Sequence, residues 1–541
     1  MTQTQEKTTR ATPASGEHFD AVVVGAGFAG LYMLHRLRGL GLSVRVFERG
    51  SGVGGTWFWN RYPGARCDIE SLEYSYQFSE ELQQEWEWSE RYSPQTEILR
   101  YLNHVADRFE LWPDIQLETS VTAATFDDER ALWTVATDQG TVTARFCIMA
   151  TGCLSSTNTP DFPGLESFEG TWYHTGNWPH EEVDFTGQRV AVIGTGSSGI
   201  QSIPLIAKQA EHLTVFQRTP NYSVPAHNAP LDAAEVARVK ADYAGFRIAN
   251  AQLPFGANFP VNERLALEAS PEEREQVYVG RWDQGGLGFM TSFADLIFDR
   301  DSNDTAAEFI RDKIRETVND PKVAELLSPD TVVGCKRLCV DTEYYATYNR
   351  PNVELVDVSG TPVEEITPRG VKVAGKEYEV DCIVFATGFD AMTGAVLNID
   401  IRGASGRSLR DKWAEGPRTY LGLQTAGFPN LFTITGPGSP SVLTNMVPSI
   451  EQHVEWIADC IRYLREHELA RIEATVEAED AWVEHVNEVA GGSLYPSCNS
   501  WYLGANVPGK PRVFMPYLGF PPYVQKCNEV AEKGYEGFAL A

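Results

Sequence analysis

The sequence has no long hydrophobic run, no C-x-x-C cysteine pair and few cationic side chains. No stretch of roughly 18 apolar residues occurs, so a membrane span is not expected. Residues 1–18 also lack the apolar centre of a secretory signal, and we predict a disordered N-terminal segment there. The nine cysteines are scattered along the chain. We therefore expect reduced thiols, no metal site and a cytoplasmic protein.

Acidic residues far outnumber basic ones. The 74 Asp and Glu residues against 45 Lys and Arg residues give a formal net charge of -29. Nucleic acids and anionic membrane surfaces would be repelled by this charge, so neither is an expected partner. An anionic nucleotide can still bind in a locally positive pocket. The length of 541 residues predicts two or three domains, and it leaves the oligomeric state open, a monomer included.

The first βαβ unit lies close to the N-terminus. A strand at Phe19–Val24 leads into the turn Gly25–Gly30, and a helix at Leu31–Leu40 and a strand at Ser43–Phe47 follow. In a G-x-G-x-x-G turn the glycines allow a tight turn, a close approach to a pyrophosphate and close packing of the helix on the strand. The pyrophosphate then lies at the helix N-terminus, where free N–H groups favour anions. The predicted contacts of this turn are Gly25, Gly27, Ala29 and Gly30.

A second βαβ unit repeats this plan in the middle of the chain. Its strand at Arg189–Ile193 precedes the turn Gly194–Gly199, a helix that extends to about Ala210, and the strand Leu213–Gln217. A purely structural glycine turn is the alternative for each unit. The predicted nucleotide contacts are Gly194, Thr195, Gly196, Ser197, Ser198 and Gly199.

A third segment fits the bare glycine pattern. Gly50–Gly55 reads G-S-G-V-G-G, but the aromatic run Trp57–Trp59 and a proline turn follow it instead of a helix. We therefore reject it as a nucleotide turn, because the glycines alone carry little specificity.

The residue that ends the second strand of each unit distinguishes the two nucleotides. Glu48 can accept hydrogen bonds from a ribose 2′-hydroxyl, which suits FAD or NAD. Gln217 stands at the matching position of the second unit, and Arg218 and Thr219 follow it. A guanidinium without a neighbouring carboxylate suits the 2′-phosphate of NADP. An ordinary surface arginine is the alternative explanation of Arg218.

The remaining sequence predicts an α/β protein with two Rossmann-like dinucleotide-binding domains and a helical insertion. Charge-rich segments such as 271–275 and 306–319 indicate helices, whereas 353–356 and 379–386 indicate strands. Later helices are predicted at 450–467 and 522–533. The turns Ala150–Gly152 and Ala386–Gly388 (both A-T-G) are predicted to mark where the chain crosses between domains. The expected domains are FAD-binding, 19–155 and 387–541; NADP-binding, 156–225 and 335–386; and helical, 226–334.

A segment just before the second glycine turn carries the strongest motif. It matches F-x-G-x-x-x-H-x-x-x-W-P with Phe168, Gly170, His174, Trp178 and Pro179. This motif resembles the fingerprint of type I Baeyer–Villiger monooxygenases, and the detail of the chain is similar to the phenylacetone and steroid monooxygenase branch. Further similarity extends over nearly the whole chain and includes 54–68, 336–337, 386–390, 436–441 and 501–506.

The resemblance implies an enzyme with FAD and NADPH. In that family NADPH reduces FAD, O₂ adds to the flavin, and the resulting peroxide attacks an apolar ketone to give an ester or lactone; sulfides can also be oxidised. Such chemistry favours a permanently charged donor in a site poor in water. By resemblance, Arg337 supplies this charge and Asp68 orients it.

The resemblance also implies further contacts. Lys336 is expected at the 2′-phosphate and Trp501 near the nicotinamide, whereas His174 and Trp178 are expected to couple domain movement, with direct chemistry as the alternative. The full sets implied are, for FAD, Gly55, Thr56, Trp57, Trp59, Asp68, Tyr74, Val121 and Met446; for NADP, Arg66, Arg218, Thr219, Lys336, Arg337 and Trp501; and for the substrate pocket, Ser441, Val442 and Met446.

Three other functions remain to be weighed. A flavin monooxygenase that oxygenates soft nitrogen or sulfur atoms shares both glycine turns but lacks the W-P ending seen at Trp178-Pro179. A disulfide reductase would need a redox dithiol, and Cys335 with Cys339 has the wrong spacing, so both are interpreted as ordinary small residues. A non-catalytic flavoprotein would need neither a second nucleotide site nor Arg337.

Overall fold

The computed structural model describes residues 16–541, so most of the predicted N-terminal segment lies outside the described residues. The described part begins with a strand almost at once, at His18. In chain order the strands are β1 His18–Val24, β2 Val44–Phe47, β3 Ile115–Gln116, β4 Val121–Asp127, β5 Leu132–Thr137, β6 Gly140–Met149, β7 Thr171–His174, β8 Arg189–Ile193, β9 His212–Gln217, β10 Ser223–Pro225, β11 Cys339–Asp341, β12 Val353–Asp357, β13 Glu365–Thr367, β14 Gly370–Val373, β15 Lys376–Glu379, β16 Cys382–Phe385, β17 Asp400–Arg402, β18 Leu431–Thr433, β19 Ile472–Ala474 and β20 Phe538–Leu540.

The α-helices include the two that follow the glycine turns. Within residues 16–541, no helix is both long enough and apolar enough to cross a membrane. The helices are α1 Phe28–Gly39, α2 Thr56–Trp59, α3 Glu80–Glu85, α4 Gln95–Arg108, α5 Ser197–Gln209, α6 Ala233–Ala241, α7 Tyr243–Ala251, α8 Pro271–Gln284, α9 Arg300–Thr317, α10 Pro321–Leu327, α11 Tyr344–Thr347, α12 Gly394–Leu397, α13 Leu409–Lys412, α14 Met446–Glu466, α15 Val476–Gly491 and α16 Phe520–Glu532.

Two parallel-rich sheets dominate the molecule. The first has the order β17-β4-β5-β6-β1-β2-β3, with β18 paired to β6, and its N-terminal βαβ unit joins β1 and β2 in parallel. The second has the order β12-β9-β8-β16-β7, and every pair in it is parallel. Each sheet therefore holds one glycine turn at the carboxyl end of a central strand, where ligands of such folds bind. The predicted α/β fold with two Rossmann-like units is confirmed.

Several predicted elements need corrected boundaries. The strand predicted at 379–386 is two strands, because the chain changes sheets between them. Val380 donates its N–H to the carbonyl of Arg369 and so extends the antiparallel hairpin of β14 and β15. Asp381 instead accepts hydrogen bonds from the backbone and guanidinium of Arg189, at the start of β8. The short helix α2 also corrects the expectation that no helix follows Gly50–Gly55.

The segment between β10 and β11 carries α6, α7, α8, α9 and α10. Helix α8 begins with a capping box, in which Ser270 accepts from the backbone N–H of Glu273 and the Glu273 side chain accepts from the N–H of Ser270. In α9, residues such as Ala306, Ile310 and Ile314 are fully buried at helical spacing. Amphipathic packing of this kind accounts for the helical block that composition predicted.

The chain crosses between the two sheets at two neighbouring places. The segment after β6 contains Asn158, whose N–H donates to the carbonyl of Gly388, 3.0 Å away, in the segment after β16. Thr387 Oγ1 donates to the carbonyl of Asn158 at 2.7 Å. Thr157 and Phe389 form an antiparallel bridge beside them. Both A-T-G turns thus lie at the approach to a paired crossing.

The two glycine turns have the same close contacts. A Cβ on Gly30 would lie 1.8 Å from the carbonyl oxygen of Gly25, and a Cβ on Gly199 would lie 2.4 Å from that of Gly194. The first glycine of each turn approaches the alanine of an A-T-G turn: a Cβ on Gly25 would lie 2.6 Å from the oxygen of Ala150. The third glycine therefore allows the helix to begin directly against the strand.

We expect Gly30→Ala to lower the free energy of unfolding by about 3 kcal/mol, because the new methyl group overlaps a backbone oxygen that cannot move aside. Bound flavin should be lost in parallel. Gly39→Ala is the matched control at the exposed end of the same helix, where no atom lies within 4 Å of the added Cβ. It should change stability by less than about 1 kcal/mol. Urea unfolding and flavin absorbance measure both effects, and equal behaviour of the two variants would contradict this account.

Candidate active site

Residues from both glycine turns line one large cavity. Its volume is about 1610 Å³, whereas a pocket for one drug-sized ligand measures roughly 300–1000 Å³. The space therefore suits more than one ligand. The predicted site residues in its wall are Gly25, Gly27, Ala29, Glu48, Gly55, Thr56, Trp57, Trp59, Arg66, Asp68, Tyr74, Val121, Gly194, Thr195, Gly196, Ser197, Ser198, Arg218, Thr219, Lys336, Arg337, Val442, Met446 and Trp501.

Gly54 and Gly55, from the rejected third glycine segment, pack against the first turn. Gly54 donates its N–H to the carbonyl of Ala26 at 2.9 Å. A Cβ on Gly27 would lie 3.4 Å from Cα of Gly55. Gly50–Gly55 therefore forms no nucleotide unit of its own, and its C-terminal end extends the wall of the first one. Farther along this wall, the indole N–H of Trp57 donates to the hydroxyl of Tyr74 at 3.2 Å.

Glu48 is buried beside the first turn. One carboxylate oxygen accepts the N–H of Ala26 and the other accepts the N–H of Gly50, each at 2.8 Å. Burial raises the pKa of Glu48, and these two hydrogen bonds lower it by less. Each oxygen keeps a second lone pair for a ribose hydroxyl, because a carboxylate has about four acceptor positions. The close glycine contacts and this carboxylate fit an adenosine ribose and pyrophosphate.

The second turn has an open face and a cationic wall. No atom lies within 4 Å of a Cβ built on Gly196. Lys336 lies close to Arg218, and burial together with the positive charge of Arg218 lowers the pKa of Lys336. The negative charge of Asp330 raises the pKa of Lys336 by less, so the two adjacent cations still suit a phosphate group. Gln217 lies outside the cavity wall, and its Nε2 donates to the carbonyl of Leu326 at 2.7 Å.

Arg66, a predicted NADP contact, has protein partners of its own. Its Nη1 donates to Oε2 of Glu90 at 2.9 Å and to the carbonyl of Tyr92 at 2.8 Å. No sequence pattern signals Glu90, which lies 24 positions away in the loop before α4. Arg66 remains a predicted NADP contact, and its hydrogen bonds to Glu90 and Tyr92 hold it in the cavity wall.

Arg337 and Asp68 form a bidentate ion pair at the cavity. Nε and Nη2 of Arg337 donate to the two carboxylate oxygens at 2.6 and 2.9 Å, and Nη1 donates to the carbonyl of Val442 at 2.7 Å. Burial lowers the pKa of Arg337, but the charge and hydrogen bonds of Asp68 outweigh it and raise the pKa overall. The guanidinium is therefore held permanently charged, and 22% of each side chain remains exposed.

The fingerprint residues lie outside the cavity wall. His174 ends β7, and its Nδ1 accepts the N–H of Gly176 at 3.0 Å while its Nε2 lies 3.2 Å from Oγ1 of Thr387. Burial lowers the pKa of His174, which favours the neutral ring with Nε2 as donor. The backbone N–H of Trp178 donates to the carbonyl of Trp59 at 3.2 Å. These contacts join the second sheet to the crossing and to the first nucleotide wall.

Phe168 and Gly170, at the start of the fingerprint, pack against each other. A Cβ on Gly170 would lie 2.6 Å from the Phe168 ring and 2.3 Å from the carbonyl of Asp381. Pro179 follows the buried Trp178 directly. The contacts of His174 and Trp178 fit the predicted coupling role, which stays a prediction for all five fingerprint residues.

The predicted substrate residues separate into two groups. Val442 and Met446 line the cavity, and the carbonyl of Val442 accepts a hydrogen bond from Arg337. Ser441 is fully buried, with its backbone at φ 45° and its Oγ 3.7 Å from Sδ of Met392. A left-handed backbone at a non-glycine residue is uncommon and marks a constrained position. The backbone conformation of Ser441 therefore shapes the loop in which the carbonyl of Val442 accepts a hydrogen bond from Arg337.

One cysteine prediction is wrong. Cys335 and Cys498 form a disulfide, with Cα atoms 5.5 Å apart and 163 positions between them in the sequence. The expectation of reduced thiols holds for the other cysteines, which are free and buried: Cys67, Cys147, Cys153, Cys339, Cys382, Cys460 and Cys527. No local spacing signals the pair, because its members approach each other only in the folded chain.

Comparison with known proteins places this geometry in a family. A model of the pyridine nucleotide-disulphide oxidoreductase family matches residues 22–241. A Baeyer–Villiger monooxygenase from Pseudooceanicola batsensis is 46% identical over 536 residues, which cover 97% of each chain. A solved steroid monooxygenase bound to NADP is 56% identical, with a TM-score of 0.93, and the match covers 97% of this chain and 99% of that one.

The chain belongs to the Baeyer–Villiger monooxygenase family. A second relative, a phenazine N-monooxygenase from Lysobacter antibioticus, is 44% identical over 531 residues, or 97% of each chain. The cofactors of this Baeyer–Villiger monooxygenase are FAD and NADPH. Both nucleotide walls described above fit these groups, so FAD would be held by the first turn with Glu48, and NADPH by the second with Arg218 and Lys336.

We expect Arg218→Ala and Lys336→Ala each to raise the KM for NADPH about tenfold, because a hydrogen bond to a charged group contributes about 1.5 kcal/mol or more. The KM for NADH should stay unchanged, since NADH has no 2′-phosphate. Arg350→Ala is the control, because it removes one positive charge at an exposed position just before β12. Steady-state kinetics with both nucleotides tests this. Similar losses with NADH and NADPH would contradict the assigned phosphate contact.

Proposed function

We propose that this protein uses NADPH and O₂ to convert an apolar ketone into an ester or lactone. The observation that carries the proposal is the Arg337–Asp68 pair in the wall of a cavity that both nucleotide turns share. A reductant, an oxygen-activating group and a fixed positive charge would then act at one place. When bound, FAD supplies the electron transfer from NADPH and the activation of O₂.

Arg337 has donors left for a substrate. Guanidinium has five N–H donors, and the described contacts use three of them, on Nε, Nη1 and Nη2. One hydrogen on each terminal nitrogen therefore remains for an oxygen atom in the cavity. As the carbonyl oxygen of a ketone gains negative charge, such a fixed donor stabilises it without reorganisation. Two hydrogen bonds to Asp68 hold the plane of the guanidinium in place. The carbonyl of Val442 accepts a third hydrogen bond, from Nη1.

The wall near Arg337 indicates an apolar substrate. Cys153, Leu154, Ala391, Val442 and Met446 line the cavity and belong to one apolar cluster with Cys335, two positions before Arg337. None of these side chains carries a charge, so a hydrocarbon frame would be buried without a desolvated ion. We propose cyclic, aryl or steroid-like ketones as the substrate class. The name of the steroid monooxygenase at 56% identity supports the larger members of that class.

Oxygenation of nitrogen is the second candidate. A relative named phenazine N-monooxygenase shares 44% identity over nearly the whole chain, so the same fold carries that activity elsewhere. A soft nucleophile needs no stabilisation of a developing oxyanion, and the Arg337–Asp68 pair therefore favours the ketone reaction. We also propose a cytoplasmic location, which the buried free thiols support.

A product screen decides between these reactions. Purified enzyme with NADPH should convert cyclic, aryl or steroid ketones to esters or lactones containing one atom of ¹⁸O from labelled O₂. A phenazine and an alkyl sulfide serve as competing substrates in the same assay, with mass spectrometry as the readout. If only N-oxides or S-oxides form, the ketone proposal is wrong and the second candidate replaces it.

Arg337→Ala should lower ester formation at least about 100-fold, as loss of a preorganised donor does in other enzymes. NADPH consumption should persist, because the nucleotide walls remain. Arg337→Lys keeps the charge but loses the bidentate geometry, and it should recover only part of the activity. Ester yield and NADPH consumption are measured side by side, with bound flavin as the check on folding. Full ester formation by Arg337→Ala would refute this role.

A further inference from the structure

The Cys335–Cys498 disulfide joins two segments that both line the cavity. Cys335 precedes Lys336 and Arg337 in the turn after the helical insertion, and it lines the cavity itself. Cys498 lies three positions before Trp501, which lines the same cavity. The bond therefore ties the predicted phosphate-binding and catalytic turn to the segment that carries the predicted nicotinamide contact.

Among the described residues, no hydrogen bond joins the segment 499–507 to the turn at 332–338. Most of its backbone hydrogen bonds are local, and the carbonyl of Tyr502 accepts the N–H of Met515 at 3.1 Å. Its far end is anchored by Asn506, whose Nδ2 donates to the carbonyl of Phe389 at 2.7 Å, and by Lys510 Nζ at 2.5 Å from Asp390. The disulfide is the covalent anchor at the near end. Without it, the remaining hydrogen bonds of the segment lead to Asn158, Phe389 and Met515, and none leads to the Lys336–Arg337 turn.

We propose that Cys335 and Cys498 form a reversible redox switch that controls the closure of the Trp501 segment over bound NADP. The oxidised form clamps the segment 499–507 to the Lys336–Arg337 turn, and the reduced form lets it open. Seven other cysteines are free, which fits a reducing compartment, where disulfides are usually transient or redox-sensing. The proposal depends on the proposed function only for the identity of the bound nucleotide.

A small peroxide is the oxidant that suits this position. Cys335 reaches the cavity, so hydrogen peroxide can contact its sulfur although little of the residue is exposed to bulk water. The Cys335 thiolate attacks one peroxide oxygen, which gives a sulfenic acid and releases one water molecule after protonation. Cys498 then attacks the sulfenic sulfur, forms the S–S bond and releases a second water molecule. The two thiols lose two electrons and two protons, and a dithiol reverses the change by exchange.

The first measurement is of the bond itself. Full-length, flavin-loaded enzyme is treated with hydrogen peroxide or with dithiothreitol, and then denatured and alkylated. Mass spectrometry should find a linked Cys335–Cys498 peptide in the oxidised sample and nine alkylated cysteines in the reduced one. Absence of the linked peptide after oxidation would overturn the proposal, whatever the enzyme's substrate.

The second measurement tests the clamp. NADP⁺ should dissociate about fivefold more slowly from the oxidised enzyme, a modest coupling between two sites. Backbone amides of 499–507 should exchange with deuterium more slowly as well. Cys335→Ser and Cys498→Ser should each behave like the reduced form under both treatments, whereas Cys460→Ala, a buried thiol within α14, should keep the full redox response.

These readouts need no ketone, so their failure differs from failure of the proposed function. If the linked peptide forms but NADP⁺ release and deuterium exchange do not change, the bond is structural and the switch is refuted. If both respond while no ester forms in the product screen, the switch stands and the proposed reaction falls.

Discussion

The Arg337–Asp68 ion pair is the interaction on which the arrangement of the site depends. A guanidinium beside an apolar cavity is costly unless a carboxylate and further acceptors compensate its charge. Here the compensation comes from Asp68, in the segment that follows α2, and from the carbonyl of Val442, more than a hundred positions after Arg337. Three distant parts of the chain must therefore meet at one side chain. Their meeting brings both nucleotide turns to the same cavity.

The nucleotide units could be predicted from sequence because their geometry permits little choice of residue. A Cβ at Gly30 or Gly199 would overlap a backbone oxygen, so the pattern is strict and visible in one dimension. Strand and helix cores were also predictable from local patterns, and their boundaries shifted by a few residues. The division of the segment 379–386 into two strands was not predictable, because the local sequence does not reveal that Val380 and Asp381 bond to different sheets.

Partners that lie far apart in the sequence were the main omissions. Glu90 beside Arg66, Met392 beside Ser441 and the Cys335–Cys498 bond leave no periodic trace, since each depends on how distant segments pack. Family resemblance supplied the roles of Arg337 and Asp68, which no spacing rule would have found. The family resemblance also identified the fingerprint. The hydrogen bond from Trp178 to Trp59 joins backbone atoms, so it could not be predicted from the side chains that define the motif.

The paired crossing after β6 and β16 has a mechanical consequence. The two connections run antiparallel and are hydrogen-bonded through Asn158, Thr387 and Gly388. A single linker would let the sheets twist freely about it, whereas a bonded pair favours bending about one axis. Hinges in proteins are commonly a few residues at the ends of elements, which is where these lie. The buried ring of His174 touches this pair at Thr387, and burial lowers the pKa of His174, so a positive charge beside the paired connections is disfavoured.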